Sequence, residues 1–211
     1  MSILIELRLC CYPTNSLSNK NEERNIQFVN GLQKFFSYLP ILNKYNTTIF
    51  ITDNTIADNM SLPKNILDVI PQNIKIITCL NNNFGSINKG AGDIEQWTYN
   101  QDFIKQFDWF IHFEPRQILL SFQFIESFLN NPRNLFTINY NVKHFNTGMF
   151  CIKSKLLLEY IHTVDLQQMC SQFISIEDNI YNFFITNNIE YDTLEKMNIV
   201  WFPADGPPQI W

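Results

Sequence analysis

The stretch DWFIHFEPR, residues 108–116, joins an apolar run to an abruptly polar end. The apolar part is bulky and almost uninterrupted, which is typical of a strand buried on both faces. An acid, a proline and a base follow at once in Glu114, Pro115 and Arg116. Such a strand belongs to the centre of a parallel sheet, and its polar tip indicates a binding or catalytic function at that end of the sheet.

Predicted strands and helices alternate on both sides of this stretch. Hydrophobic periodicity predicts further strands at Ser2–Cys11, Thr47–Thr52, Asn73–Leu80 and Leu135–Tyr140. It predicts helices at Glu22–Leu39, shortly after Pro63, through 94–107, and at Gln117–Leu129, Lys153–Ile161 and Glu177–Thr186. Segment Phe145–Ile152 is predicted to be a turn that leads into a strand. This alternation predicts one α/β domain over residues 1–211, with a Rossmann-type, mostly parallel but mixed sheet and helices on both faces.

The composition excludes several classes of protein. Of the 211 residues, 45% are hydrophobic and 17% are charged, which is far from the composition of a disordered chain. The net charge of −5 argues against nonspecific nucleic-acid binding. The five cysteines lack zinc-binding spacing, which indicates buried thiols in a reducing compartment. No signal peptide and no apolar run of about 20 residues is found, so we expect a cytoplasmic protein.

Candidate site residues follow the predicted strands, because ligands of open α/β sheets bind beyond the carboxyl ends of the strands. The segment Asn88–Gly92 could present backbone N–H groups to an anion, assisted by Lys89. A plain loop, with Asp93 capping the next helix, is the alternative.

The tip of DWFIHFEPR offers two kinds of site. His112 and Glu114 alternate along the strand, so both could reach one metal ion such as Mn²⁺. Arg116 could instead pair with Glu114 or bind an anionic ligand directly. The structural alternative is a buried His112 with a core hydrogen bond beside a surface Glu–Arg pair.

Two later segments carry further candidates. Asn146 and Gly148 could let a ligand approach the backbone closely, or they could form an ordinary turn. The segment from Ser175 to Asp178 is a capping-box pattern with Ser175 as N-cap. Its acids, Glu177 and Asp178, are also candidates for a catalytic base or for ligands of sugar hydroxyls.

Taken in order, the segments NNNFGSINKGAGDIEQW, DWFIHFEPR, FNTGMFCI and EDNIYNFF resemble the GT-A fold of nucleotide-sugar-dependent glycosyltransferases. The resemblance places DWFIHFEPR where that family has an Asp-x-Asp motif, which holds Mn²⁺ or Mg²⁺ on the donor diphosphate. It implies that Asn146-Thr147-Gly148 contacts the donor sugar, and that Glu177-Asp178-Asn179 with Asn182 corresponds to a segment of glycogenin-like members.

The same resemblance implies that Tyr12, Thr14 and Asp53 line the nucleotide pocket. The sequence departs from the family's pattern at the metal motif, where either His112 and Glu114 or Glu114 and Arg116 stand in place of two aspartates. The tail also lacks the histidine that many metal-dependent members have, and Asp205 is the candidate acid there.

The sequence thus predicts a glycosyltransferase that moves a sugar, most simply a hexose from a UDP-sugar, to an acceptor hydroxyl of a glycan or glycoconjugate. Asp178 or Glu177 is the predicted catalytic base if the reaction inverts the anomeric configuration, or a ligand of sugar hydroxyls if it retains it. Mn²⁺ or Mg²⁺ is the predicted cofactor. One alternative is a catalytically degenerate domain that binds a nucleotide or glycan or serves as a scaffold. Another is a nucleotidyltransferase, although the first strand lacks the expected glycine-rich, basic signature.

Overall fold

A seven-stranded sheet forms the centre of the structure, a computed structural model that describes residues 1–13, 21–57, 60–139, 142–202 and 207–210. The strands are β1 (Ile3–Leu9), β2 (Thr47–Asp53), β3 (Lys75–Thr78), β4 (Trp109–Phe113), β5 (Ile118–Leu119), β6 (Leu135–Asn139), β7 (His144–Lys153), β8 (Asp192–Leu194), β9 (Ile199–Trp201) and β10 (Gln209–Ile210). The helices are α1 (Asn21–Phe36), α2 (Leu39–Leu42), α3 (Lys64–Leu67), α4 (Lys89–Tyr99), α5 (Gln101–Ile104), α6 (Gln123–Asn130), α7 (Ser154–Thr163), α8 (Leu166–Ser171) and α9 (Ile176–Thr186).

The strand order of the large sheet is β3-β2-β1-β4-β7-β6-β8. Strands β1 to β4 are mutually parallel, whereas β7 runs antiparallel to both β4 and β6. A second, three-stranded sheet joins β5, β9 and β10. The prediction of a mostly parallel, mixed sheet is therefore confirmed.

Helices cover both faces of the large sheet, as predicted. Alternate side chains of β1 show why: Ile3, Ile5 and Leu7 join the core beneath α1 and α6, whereas Leu4 joins a separate core with Trp97 of α4. The second core is rich in stacked and edge-on aromatic rings, such as Phe136 against Phe145. None of the described helices is long and apolar enough to cross a membrane.

The predicted helix Gln117–Leu129 is wrong in its first half. The chain instead turns at Pro115 and Arg116, where the Gln117 N–H donates to the Glu114 carbonyl at 3.0 Å. Proline suits the second position of such a turn because its φ is already fixed near the required value. Strand β5 follows and pairs with β9, and the helix begins only at Gln123.

Two other boundaries differ from the prediction. Segment Phe145–Ile152 contains no turn, because it lies inside the ten-residue strand β7. The predicted loop up to Gly92 ends at Asn88, whose side chain caps α4 by accepting from the N–H groups of Gly90 and Ala91. Asp93 therefore lies inside α4 and is not its N-cap. The short elements α2, α8, β5, β8, β9 and β10 were not predicted.

Helix α1 contacts the tip of β4 at a glycine. A Cβ atom at Gly31 would lie 1.7 Å from the carbonyl oxygen of Pro115 and 2.7 Å from that of Gln117. Both neighbours are backbone atoms, so they cannot rotate away. The lack of a side chain at Gly31 lets α1 support the turn that carries Glu114 and Arg116.

We predict that Gly31→Ala lowers the free energy of unfolding by about 1–3 kcal/mol, because the added methyl overpacks against this backbone. Chemical denaturation monitored by circular dichroism measures the change. Asn30→Ala, at an exposed position of the same helix, is the matched control and should change stability by less than about 0.5 kcal/mol. Equal effects of the two substitutions would contradict the proposed contact.

Candidate functional site

Strand β1 carries two charged residues, Glu6 and Arg8, into the core on the α4 side of the sheet. Glu6 lies opposite His112 of β4 in the register. Its Oε2 accepts from the indole N–H of Trp97 at 2.8 Å and lies 2.7 Å from His112 Nδ1. The His112 ring also stacks on Phe150. His112 is thus a buried member of a core network, which matches the structural alternative and gives its predicted metal role no support.

Arg8 lies two residues after Glu6, on the same face of β1, and is also buried. Its guanidinium is 2.6 Å from the Asp93 carboxylate of α4 and 3.7 Å from that of Glu114. Burial raises the pKa of Asp93 to about 6, although the positive charges of Arg8 and Lys89 act in the opposite direction. Arg8 therefore connects β1, α4 and the end of β4 through charge.

Glu114 is surrounded by cations. Besides Arg8, Lys89 Nζ lies 2.7 Å from its carboxylate and Arg116 Nη2 lies 3.8 Å away. Burial alone would raise the pKa of Glu114, but the three positive charges, with Lys89 contributing most, hold it well below its usual range. The structure thus brings together three predicted site residues, Lys89, Glu114 and Arg116.

A fourth cation, Arg24, reaches the same region from α1. It is buried, and its Nη2 donates to the Cys10 carbonyl at 3.3 Å. Arg8, Arg24 and Lys89 line one pocket of about 10 Å³ together with Asn82 and Gly85. Among the described residues, the Nε atoms of Arg8 and Arg24 have no hydrogen-bond partner. Buried N–H donors of this kind are suited to an anion.

A cavity of about 320 Å³ opens beside Glu114 at the carboxyl end of β4. Its walls are formed by Lys89, Glu114, Gln117, Asn139, His144, Asn146, Thr147, Gly148, Glu177 and Trp201. Two larger grooves, of about 770 and 750 Å³, lie at the opposite end of β4, where that strand begins, near Asp108 and Asn134. They lie away from the carboxyl ends of β1 and β4, where a ligand of an α/β sheet is expected.

Residues of β7 and α9 form one side of this cavity. Gly148 is close to the Gln117 side chain, since a Cβ atom there would lie 2.2 Å from the Gln117 amide nitrogen. Glu177 accepts a hydrogen bond from the Thr147 hydroxyl at 2.9 Å. Asn146, Gly148 and Glu177 therefore share one cavity, whereas Asp178 is not among its lining residues.

The predicted nucleotide-pocket residues lie at the ends of β1 and β2. Asp53 is buried, and its carboxylate accepts from the N–H groups of Cys11 and Thr55 at 2.8 and 2.7 Å, so it joins the two strand ends. Tyr12 follows β1 with 41% of its surface exposed. Thr14 and Asp205 lie outside the described residues.

The donor set at Glu114 does not fit Mn²⁺ or Mg²⁺. These ions prefer several oxygen ligands and a local excess of negative charge. Glu114 instead shares its surroundings with Arg8, Lys89 and Arg116. Within the described ranges, no group of three or more His, Cys, Asp or Glu side chains could hold a metal ion.

Several site residues were not predicted from the sequence, among them Arg8, Arg24, His144 and Trp201. Arg8 had a readable signal, because an arginine within the apolar strand ILIELRL must find a partner when buried. Trp201 reaches the cavity only because β9 pairs with β5. No local pattern in the sequence reveals that pairing.

We predict a pH dependence of stability that originates in Asp93. A carboxyl group with a raised folded-state pKa binds more protons when folded, so its stabilising contribution is full below about pH 4 and is lost as pH rises through about 6. The free energy of unfolding of the wild type, relative to Asp93→Asn, should therefore fall between about pH 4 and pH 7. Urea titrations at several pH values measure this difference.

The change of this difference with pH tests the prediction, because Asp93→Asn also removes the partner of Arg8 at every pH. Asp102→Asn changes an exposed carboxylate in the next helix and serves as the control. If wild type and Asp93→Asn differ by the same amount at pH 4.5 and pH 7, the buried-acid interpretation of Asp93 is wrong.

No family model matches the chain, and no curated protein matches it in sequence. Solved structures do match its fold. A protein from Desulfovibrio desulfuricans G20 described as a nucleotide-diphospho-sugar transferase aligns with a TM-score of 0.58 and 8% identity, over 92% of this chain and 80% of that chain. A glycosyltransferase involved in glycosylation of the major capsid of PBCV-1 aligns with a TM-score of 0.52 and 13% identity, over 92% of this chain and 82% of that chain. The fold is therefore that of GT-A-like glycosyltransferases.

Proposed function

We propose that this protein transfers a sugar from a nucleotide-sugar donor to an acceptor hydroxyl. The observation that carries the proposal is the cation cluster, formed by Arg8, Arg24, Lys89 and Arg116 beside a cavity at the carboxyl end of β4. Glycosyl transfer from such a donor releases a diphosphate, whose developing charge must be stabilised. A fixed cluster of cations next to a sugar-sized cavity meets that requirement.

Each part of the donor has a proposed position. The diphosphate lies against the cation cluster, where guanidinium groups can bind it with two parallel hydrogen bonds. The sugar occupies the cavity, within reach of Asn146, Glu177 and the backbone of Gly148. The nucleoside lies over the ends of β1 and β2, where Tyr12 offers an exposed ring and Asp53 shapes the strand ends.

The cations take over the role that the family's Asp-x-Asp motif assigns to a divalent ion. Of the two arrangements that the sequence left open, the pair Glu114 and Arg116 is favoured, because His112 is held in the core by Glu6. Glu114 then positions Lys89 and balances the cluster instead of holding Mn²⁺ or Mg²⁺.

We propose a UDP-hexose as donor, a glycan or glycoconjugate as acceptor and one domain over residues 1–211, and the glycogenin-like role of Glu177-Asp178-Asn179 stays a prediction. A cytoplasmic location is consistent with five cysteines that are buried as thiols. The absence of an Asp-x-Asp pair at the tip of β4 favours the alternative of a degenerate nucleotide- or glycan-binding domain. The following experiments distinguish such a domain from an active transferase.

We predict that Arg24→Gln weakens binding of UDP or GDP by about 10- to 100-fold, the cost of one hydrogen bond to a charged group. Isothermal titration calorimetry measures the affinity. Arg133→Gln, at the opposite edge of the sheet and paired with Asp192, is the matched control and should bind like the wild type. If neither nucleotide binds the wild type at millimolar concentration, the assignment of this site to a nucleotide-sugar is wrong.

Metal removal gives a second prediction. Turnover of a donor from a panel of UDP-, GDP- and CMP-sugars should persist in EDTA and decrease with added salt, since protein cations supply the charge. Liquid chromatography of the released nucleotide measures turnover. Turnover that requires Mn²⁺ or Mg²⁺ would contradict the proposal that protein cations replace the divalent ion. Nucleotide binding without turnover would favour the degenerate domain.

A further inference from the structure

A histidine and an aspartate form a pair at the end of the cavity furthest from the cation cluster. His144 begins β7 and lines the cavity, and its Nδ1 lies 3.5 Å from an Asp178 carboxylate oxygen. The two side chains are 27% and 49% exposed, so the pair is accessible. With Nδ1 turned toward Asp178, Nε2 is the ring nitrogen left for a substrate.

Asp178 is held in place independently of His144. It lies in the first turn of α9, where its backbone N–H donates to the Ser175 hydroxyl at 3.1 Å and its carboxylate accepts from that hydroxyl at 2.6 Å. The predicted N-cap Ser175 is therefore confirmed. Asp178 is thus a fixed anion that can orient an imidazole ring.

The position of His144 relative to the diphosphate site follows from the strand register. The Glu114 N–H donates to the Gly148 carbonyl at 3.0 Å, so the tip of β4 meets β7 at that residue. His144 lies four residues earlier on β7, which at about 3.3 Å per residue is roughly 13 Å away. A sugar ring bound near Asn146 would lie between the cation cluster and His144.

We propose that His144 is the general base that activates the acceptor hydroxyl, and that Asp178 is its positioning residue. This inference rests on the proposed function and deepens it, because it implies inversion of configuration at the anomeric carbon. The acceptor hydroxyl gives its proton to His144 Nε2 as its oxygen bonds to the anomeric carbon. The bond from that carbon to the diphosphate oxygen breaks, and its electron pair leaves on the diphosphate.

The neighbouring acids fit this role less well. Asp178 does not line the cavity, and its carboxylate already accepts from Ser175. Glu177 lines the cavity but accepts from the Thr147 hydroxyl, which suits a ligand of sugar hydroxyls. The ionisable groups around the His144 ring are Asp178 and Glu177 of α9, with the paired Lys89 and Glu114 across the cavity.

The test compares His144→Gln with His162→Gln, a control at an exposed position at the end of α7. We expect His144→Gln to lower kcat by about 10²- to 10⁴-fold, the usual contribution of a general base, with UDP or GDP affinity within twofold of wild type. The substrates are the donor panel with octyl glycosides as acceptors. Proton NMR of the product should show an anomeric configuration opposite to that of the donor.

Asp178→Asn provides a readout that a purely structural role would not change. The asparagine oxygen can still accept from Ser175, so the cap is retained. Loss of the carboxylate beside the ring should lower kcat while the donor KM and the affinity for UDP or GDP stay at their wild-type values, because the ring loses the partner that orients it.

The outcomes separate this inference from the proposed function. No turnover of any donor by the wild type would overturn both. Turnover with retained configuration, an unchanged kcat in His144→Gln, or an unchanged kcat in Asp178→Asn would overturn the inference alone.

Discussion

The burial of the Arg8 guanidinium constrains the rest of the structure. A charge removed from water is tolerated only with close counter-charges and hydrogen bonds, and removing one partner of such a pair typically costs about 3–5 kcal/mol. Its partners come from two other elements, Asp93 from α4 and Glu114 from the end of β4. The central strand, the helix above it and the candidate site are therefore held in one relative arrangement by charge as well as by apolar packing.

A fixed cation cluster behaves differently from an exchangeable metal ion. A divalent ion can leave with the product, whereas arginine and lysine side chains are bonded to the chain and stay in the site. The cluster combines four cations with the acids Asp93 and Glu114, so part of its charge is balanced when no ligand is bound. The remaining positive charge is what a diphosphate would neutralise.

The parts of the fold with strong periodicity were predictable from the sequence, and the contacts that complete the site were not. Strands β1, β2 and β4 are mostly apolar and largely buried on both faces, so their existence and their parallel arrangement follow from the hydrophobic pattern. The sequence predicts a helix directly after Pro115 and Arg116, but the structure has strand β5 there. The sequence does not reveal this strand, because β5 is stabilised by pairing with β9 and not by local preference. His144 carries no local signal, since its meaning depends on Asp178 in another element.

The pairing of β5 with β9 has a consequence for the order in which the molecule assembles. Arg116 donates a hydrogen bond to the Phe202 carbonyl, a contact between residues 86 positions apart in the chain. On a ribosome, the strands around β1 and β4 emerge long before the segment that bears Trp201 and Phe202. A nascent chain can thus form its central strands while this wall of the cavity is still missing. Long-range contacts of this kind form late because the intervening chain must first be ordered, so binding competence is acquired after the fold itself.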